Sequence, residues 1–223
     1  MNIGIVIADE YEYIPFQTYA RTKACAEDVR HGRQYLTYTD GGNTVTAVQC
    51  GIGKVNAATA AAFLIAAGSD IILNAGLSGA VKGLKMGDVI AAERYVECDF
   101  DLTAIGRPLG TKPEQDYIYE ADAHLLTLAA SIDGVTTAPV GTGDLFLTDR
   151  KRKELYRDTF GICAFDMETA AIASVCHFEK IPFLSIRKIS DNADDTATDD
   201  YREMNDRKEA DLTEVLVQII EKI

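Results

Sequence analysis

The sequence is short of positive charge. Its 22 Lys and Arg face 35 Asp and Glu, a net charge of −13 over 223 residues. That balance argues against nucleic acid or an anionic membrane as a main partner, since both are held chiefly through Lys and Arg. No apolar run is long enough to cross a bilayer. The opening MNIGIVIADE has no basic stretch leading into an apolar one, so no secretory leader is expected. Cys25, Cys50, Cys98, Cys163 and Cys176 are scattered without a CxxC pair. This fits reduced thiols and a cytoplasmic location better than a disulfide framework. His31, His124 and His177 lie far apart, and no metal-ligand spacing appears. Gly51 and Gly53 form a GxG pair, but the third glycine of a dinucleotide fingerprint and the P-loop pattern are both missing. Neither a metal nor an organic cofactor is expected.

What is present is ordinary for a globular protein: 47% hydrophobic and 26% charged residues, in a length that suits one domain, 1–223. Asn2 to Ala8 reads as a buried strand followed by a helix. Gln34 to Asp40 and Asn43 to Cys50 read as a hairpin about Gly41-Gly42. A helix follows GIGK. A short apolar strand, IILN, runs into what reads as a glycine-rich loop, AGLSGA. Further strands are expected from Gly87 to Tyr95 and from Val135 to Gly141. Helices are expected from Asp122 to Ser131 and from Thr148-Asp149 to near Tyr156. Leu212, Val215, Leu216, Ile219 and Ile220 mark one face of a C-terminal amphipathic helix. The alternation predicts an α/β fold, a three-layer sandwich around a mixed, largely parallel sheet.

The chain is organised around FDMETAAIASVCHFEKIPFLSIRKISDNADD, Phe165 to Asp195. It reads as a strand end, an alanine-rich helix stopped by Pro182, and a buried strand from Phe183 to Ile189. Parallel strands in such a unit bring Glu168 and Asp191 to the edge where open α/β sheets bind ligands. Glu12, after the first strand, becomes a third carboxylate there. Each has an ordinary alternative. Acids favour a helix's first turn, and Asp or Ser after a strand often caps the next helix.

DMETAAIA followed by IRKISDNAD resembles the signature of the nucleoside phosphorylase/nucleosidase superfamily, and most of all bacterial methylthioadenosine/S-adenosylhomocysteine nucleosidases. The likeness can be followed from Met1 to the C-terminal helix. It implies a nucleoside phosphorylase-like fold that hydrolyses the N-ribosidic bond of adenosine derivatives in methionine salvage. It implies that Glu12 activates water and Asp191 protonates adenine. Glu168 would accept the ribose hydroxyls, with Met167 packed on the sugar. Phe146 in GTGDLFLTD would stack on the base, whose edge the backbone of Leu147 reads. Gly76, Ser78 and Gly79 fit the family's ribose and nucleophile loop, Arg187 matches an arginine next to the nucleophile site, and Ser190 is a further substrate-binding candidate. Leu102 and Ile105 would reach the pocket of a second subunit in a homodimer. The chain departs from the pattern at Leu77, where Ser is usual, and at Asp9 and Lys188, where apolar residues are usual. Two alternatives remain at this level: a phosphorylase using phosphate, and a non-catalytic nucleoside-binding relative.

Overall fold

A computed structural model describes residues 1–207 and 209–223. The chain runs β1 (Asn2–Ile7), α1 (Glu10–Ala20), β2 (Ala26–Arg30), β3 (Arg33–Asp40), β4 (Asn43–Gln49), α2 (Lys54–Ala66), β5 (Ile71–Ala80) and β6 (Val89–Glu97). A 3₁₀ turn (Thr103–Ile105) precedes β7 (Ile118–Glu120), α3 (Ala123–Ala130), β8 (Val135–Thr142), α4 (Arg150–Phe160) and β9 (Ala164–Asp166). Then come α5 (Thr169–Glu179), β10 (Phe183–Asp191), α6 (Ala197–Asp206) and α7 (Thr213–Lys222).

Among the described residues the strands form one mixed ten-stranded sheet with two parts, β7 flanking β6 at the side. One is an open wing, β5-β1-β4-β3-β2. The other is a closed ring, β10-β6-β8-β9-β5, completed by the β5–β10 pairing. Strand β1 shows why helices cover both faces of the wing. Ile3, Ile5 and Ile7 join one core cluster with residues of α1, α3 and α7. Val6 and Ala8 point the other way, into a cluster with α2 and α5. The two-residue period of a strand splits a continuous apolar run between two cores. Alanines at 57, 60 and 61 of α2 and at 170, 171 and 173 of α5 are buried, and these two helices pack on each other. Small side chains allow that approach.

The Gly41-Gly42 turn has φ of 56° and 89°, the positive values a two-residue hairpin turn requires. Asp122 and Asp149 cap α3 and α4 through backbone N–H groups of His124, Leu125 and Arg152.

Three expectations need correction. AGLSGA is not a loop, because β5 continues through Ala80 with β10 and β9 on either side. Strands β9 and β10 are not parallel: β9 runs antiparallel to β5, whereas β10 runs parallel to it. The two ends still meet, since Phe165 and Asp191 both pair with Gly79. A strand of three residues brings its end to this point in either direction. Finally, α4 continues to Phe160, one turn beyond Tyr156.

Candidate active site

Where the ring meets the wing, the ends of β1, β5, β9 and β10 open into a cavity of about 300 Å³. Its polar wall grows from three short segments. Asp9 caps α1, and Glu12 closes the same capping box: the Glu12 carboxylate accepts the backbone N–H of Asp9. The other Glu12 oxygen accepts the N–H of Leu77 on β5 at 2.7 Å. A helix cap is thereby also a fixed group on the cavity wall. Burial raises the pKa of Glu12, opposed by the Arg187 charge and by those two N–H groups.

Glu168 is the residue before α5, but its side chain caps nothing there. It turns into the cavity and accepts the N–H of Gly53 at 3.0 Å. Gly53 has φ of +100°, open to glycine and strained for other residues. The GIGK segment, which carries no dinucleotide or P-loop fingerprint, thus anchors a carboxylate. Burial pushes the Glu168 carboxyl up to about 7 against the pull of Arg187.

Arg187 stands behind this wall and is 1% exposed. Its guanidinium meets Asp166 at 3.0 Å and Glu168 at 3.6 Å. It also donates to Asn74 Oδ1 at 2.7 Å, Thr169 Oγ1 at 2.6 Å, Ser185 Oγ at 3.1 Å and the Leu77 carbonyl at 3.2 Å. Burial works against its charge, and the carboxylates of Asp166, Glu168 and Glu12 hold it on. Gly76 makes this crowding possible. A Cβ at that position would lie 2.5 Å from Arg187 Nη1 and 3.0 Å from Glu12 Oε1.

Asp191 ends β10 at a register shift after Ile189 and is 2% exposed. It accepts the Ser190 hydroxyl at 2.6 Å and the Ala193 N–H at 2.7 Å. It caps no helix, since Thr196 precedes α6. Burial raises its pKa, and those two hydrogen bonds lower it. The surrounding wall is apolar: Leu145, Phe146, Leu147, Phe165 and Ala193. Phe146 is 43% exposed and meets Tyr201 of α6 edge-on, with ring centroids 5.6 Å apart.

Asp9, Glu12, Leu77, Ser78, Gly79, Phe146, Leu147, Met167, Glu168, Ser190 and Asp191 share one cavity. Gly76 and Arg187 lie behind its wall. Leu102 and Ile105 do not line the cavity of their own chain, and Ile105 is 72% exposed. Lys188 points away and bonds the Glu209 carbonyl. The Ser78 hydroxyl is buried in the lining with no partner among the described residues. Among the described residues, five carboxylates and no Lys, Arg or His line the cavity, and no cluster suits a metal.

The phosphorylase superfamily's family model matches residues 2–221. The chain belongs to the phosphorylase superfamily. Within the superfamily it is 36% identical to the 5′-methylthioadenosine/S-adenosylhomocysteine nucleosidase of Geobacillus kaustophilus, over 86% of this chain and 85% of the other. It matches a solved Helicobacter pylori mutant of such a nucleosidase, with 5′-methylthioadenosine in the active site, at a TM-score of 0.94 and 27% identity. That match covers 100% of this chain and 99% of the other. It matches Helicobacter pylori futalosine hydrolase at a TM-score of 0.94 and 26% identity, covering 100% and 98%. For a phosphorylase superfamily member, the uncharged or acidic lining is the feature that most needs a chemical account.

Some lining residues escaped the sequence reading. Asp166 is the close ion partner of Arg187, which no local sequence signal announces. Ile52 and Tyr201 carry no local signal, because they reach the cavity from the α2 entry and from α6. Only the Gly53 turn hinted at the first of them.

Proposed function

We propose that the chain hydrolyses the N-ribosidic bond of adenosine derivatives of the 5′-methylthioadenosine or S-adenosylhomocysteine type, releasing adenine. The observation that carries this is the cavity lining: five carboxylates and, among the described residues, no cation free to hold a phosphate. A phosphorylase must bind its dianionic nucleophile with Arg, Lys or clustered N–H groups. Here the nearest guanidinium is already shared among Asp166, Glu168 and Asn74, and Glu12 would repel the anion. Water has neither difficulty.

In this reading the purine lies against Phe146, with its edge at the Leu147 backbone and its imidazole-side nitrogen at Asp191. As the bond from C1′ to the base breaks, its electron pair goes to the purine and the Asp191 proton neutralises it. Glu168 accepts the ribose hydroxyls, and Met167 packs on the sugar. The positive charge growing on the sugar is stabilised by the acidic wall. Glu12 orients water and takes its proton as oxygen bonds to C1′. Free sugar and adenine leave. Ser190 holds Asp191; Leu77, Ser78, Gly79 and Asp9 complete the sugar side, and Gly76 leaves room behind it for Arg187 and Glu12. The non-catalytic alternative is disfavoured by three carboxylates held at one cavity.

The proposal extends to one domain, 1–223, supported by the single continuous sheet. It includes a homodimer in which Leu102 and Ile105 enter the partner's cavity, supported by the exposure of Ile105. It also includes a cytoplasmic role in methionine salvage. The free cysteines agree with the cytoplasm, and among the described residues no helix is long and apolar enough to cross a membrane. The test is incubation with methylthioadenosine, S-adenosylhomocysteine, futalosine, adenosine and inosine, with and without phosphate. Phosphate-independent release of adenine and free sugar is expected. Phosphate-dependent formation of a sugar 1-phosphate would replace hydrolysis with phosphorolysis.

A further inference from the structure

Lys54, the first residue of α2, belongs to a closed cycle of polar contacts outside the cavity lining. Its backbone N–H donates to Asp144 Oδ1 at 2.8 Å. The Asp144 N–H donates to Asp99 Oδ2 at 2.8 Å. The other Asp99 oxygen accepts Lys54 Nζ at 2.7 Å, which closes the cycle. The ammonium also reaches Glu97 Oε2 at 3.2 Å, and Glu97 keeps a second partner in Lys112. The Lys54 and Asp99 side chains are largely buried, so their attraction is screened less than that of a surface pair.

The cycle touches both parts of the cavity wall. Gly53, immediately before Lys54, donates to Glu168. Asp144 is followed directly by Leu145, Phe146 and Leu147, the apolar wall. The space between these two segments is tight: a Cβ on Gly53 would lie 3.1 Å from Asp144 Oδ1. From this geometry we infer that Lys54 is a positioning residue, which locks the Gly53 N–H on Glu168 and the Phe146 segment into one rigid frame. It touches no substrate. It fixes the separation between the sugar acceptor and the base wall, where an error of about 1 Å can cost on the order of 10²-fold in rate.

The inference rests on the hydrolytic reading above for its effect on rate, but not for its effect on structure. Two measurements keep these apart. The first is amide hydrogen exchange in the free protein. Lys54→Met should speed exchange at Gly53, Lys54 and Asp144 at least tenfold while leaving the core strands unchanged. Unchanged exchange at those amides overturns the inference whatever the enzyme does. The second is the pH profile of kcat/KM for adenine release. Glu168 faces Arg187 from β10, Asp166 from β9, Glu12 from α1 and the Cys50 thiol after β4. The Gly53 N–H favours its charged form. Losing that bond should move the acid limb to higher pH and lower kcat/KM at least tenfold. Lys54→Arg, which can still bridge Asp99 and Glu97, should restore both within threefold. A variant that only melts earlier, with its acid limb unmoved, shows a merely structural lysine and overturns the inference. Should the wild type release no adenine, the hydrolytic reading falls, and the exchange measurement still decides on the frame.

Discussion

At one end of the cavity Glu168 is tied to Arg187 and to a backbone N–H, inside a polar network that reaches Asp166, Asn74, Thr169 and Ser185. At the other end Asp191 has a hydroxyl and one N–H, and apolar side chains around it. Both carboxyl groups are buried and both have raised pKa values. What differs is the company. An arginine partner pulls against burial and favours the charged, accepting form, which Glu168 takes above about 7 and which suits sugar hydroxyls. A carboxyl with no cation beside it holds a proton more readily and can give one to a leaving base. The difference separates a binding carboxylate from an acid within one cavity.

The strongest way to break this contrast is Arg187→Met. It strands Asp166 and Glu168 as buried charges without a partner, a change that typically costs roughly 3–5 kcal/mol. Denaturant unfolding should show that loss. A variant within 1 kcal/mol of the wild type, by the scale of ordinary surface changes, would mean that the network is not held by its charge.

Asp191→Asn should do the opposite: little change in stability, large change in rate. Asn can still accept the Ala193 N–H and can donate to Ser190, so the turn survives. Delivery of a proton in the transition state is lost, and kcat should fall on the order of 10²-fold or more while binding weakens modestly. A nitrophenyl riboside, whose leaving group needs no proton, should be far less affected. Near-wild-type kcat on an adenosine derivative would reduce Asp191 to a turn-holding residue.

Phe146→Ala sharpens the apolar side of the comparison. Removing one aromatic face from a base costs about 1–3 kcal/mol, so KM should rise about tenfold with a smaller change in kcat. Steady-state kinetics read this directly. An unchanged KM would move the base away from Phe146.

The smallest expected effect is on stability against pH. Glu168 has a folded pKa above its unfolded one, from 4.5 to about 7. Between those values the native state holds a proton that the unfolded chain has released, so stability falls as pH rises through that window. Asp191 and Glu12 are shifted in the same direction. Replacing Glu168 by Gln should flatten the decline, by a few degrees in Tm between pH 5 and 8. An unchanged slope would assign it to other groups.

Much of this was legible in the residues. β1, the hairpin, α2, β10 and α7 follow apolar periodicity and turn chemistry, which are local. Glu12, Glu168 and Asp191 follow from strand ends and from the family words. The rest depends on closure. AGLSGA resembles a loop because glycine and serine break the apolar pattern. Yet its neighbours on both sides are strands more than 80 residues later in the chain, which no local window contains. Strand β2 is exposed along its whole length and has no buried stripe to announce it. Asp166 and Gly53 matter only through partners brought in by the same closure.

The β5–β10 pairing has a further consequence for how the protein is made. Gly79 of β5 pairs with Asp191 of β10 across 112 residues of chain. During synthesis the wing from β1 to β5 emerges first with α1 and α2, but the ring stays open until β10 emerges. The cavity is therefore among the last features to exist, and its acid arrives with the strand that seals it. Contacts of such long sequence separation fold slowly, so a chain interrupted before Asp191 should expose an unpaired β5 edge and aggregate rather than accumulate as a partly active enzyme.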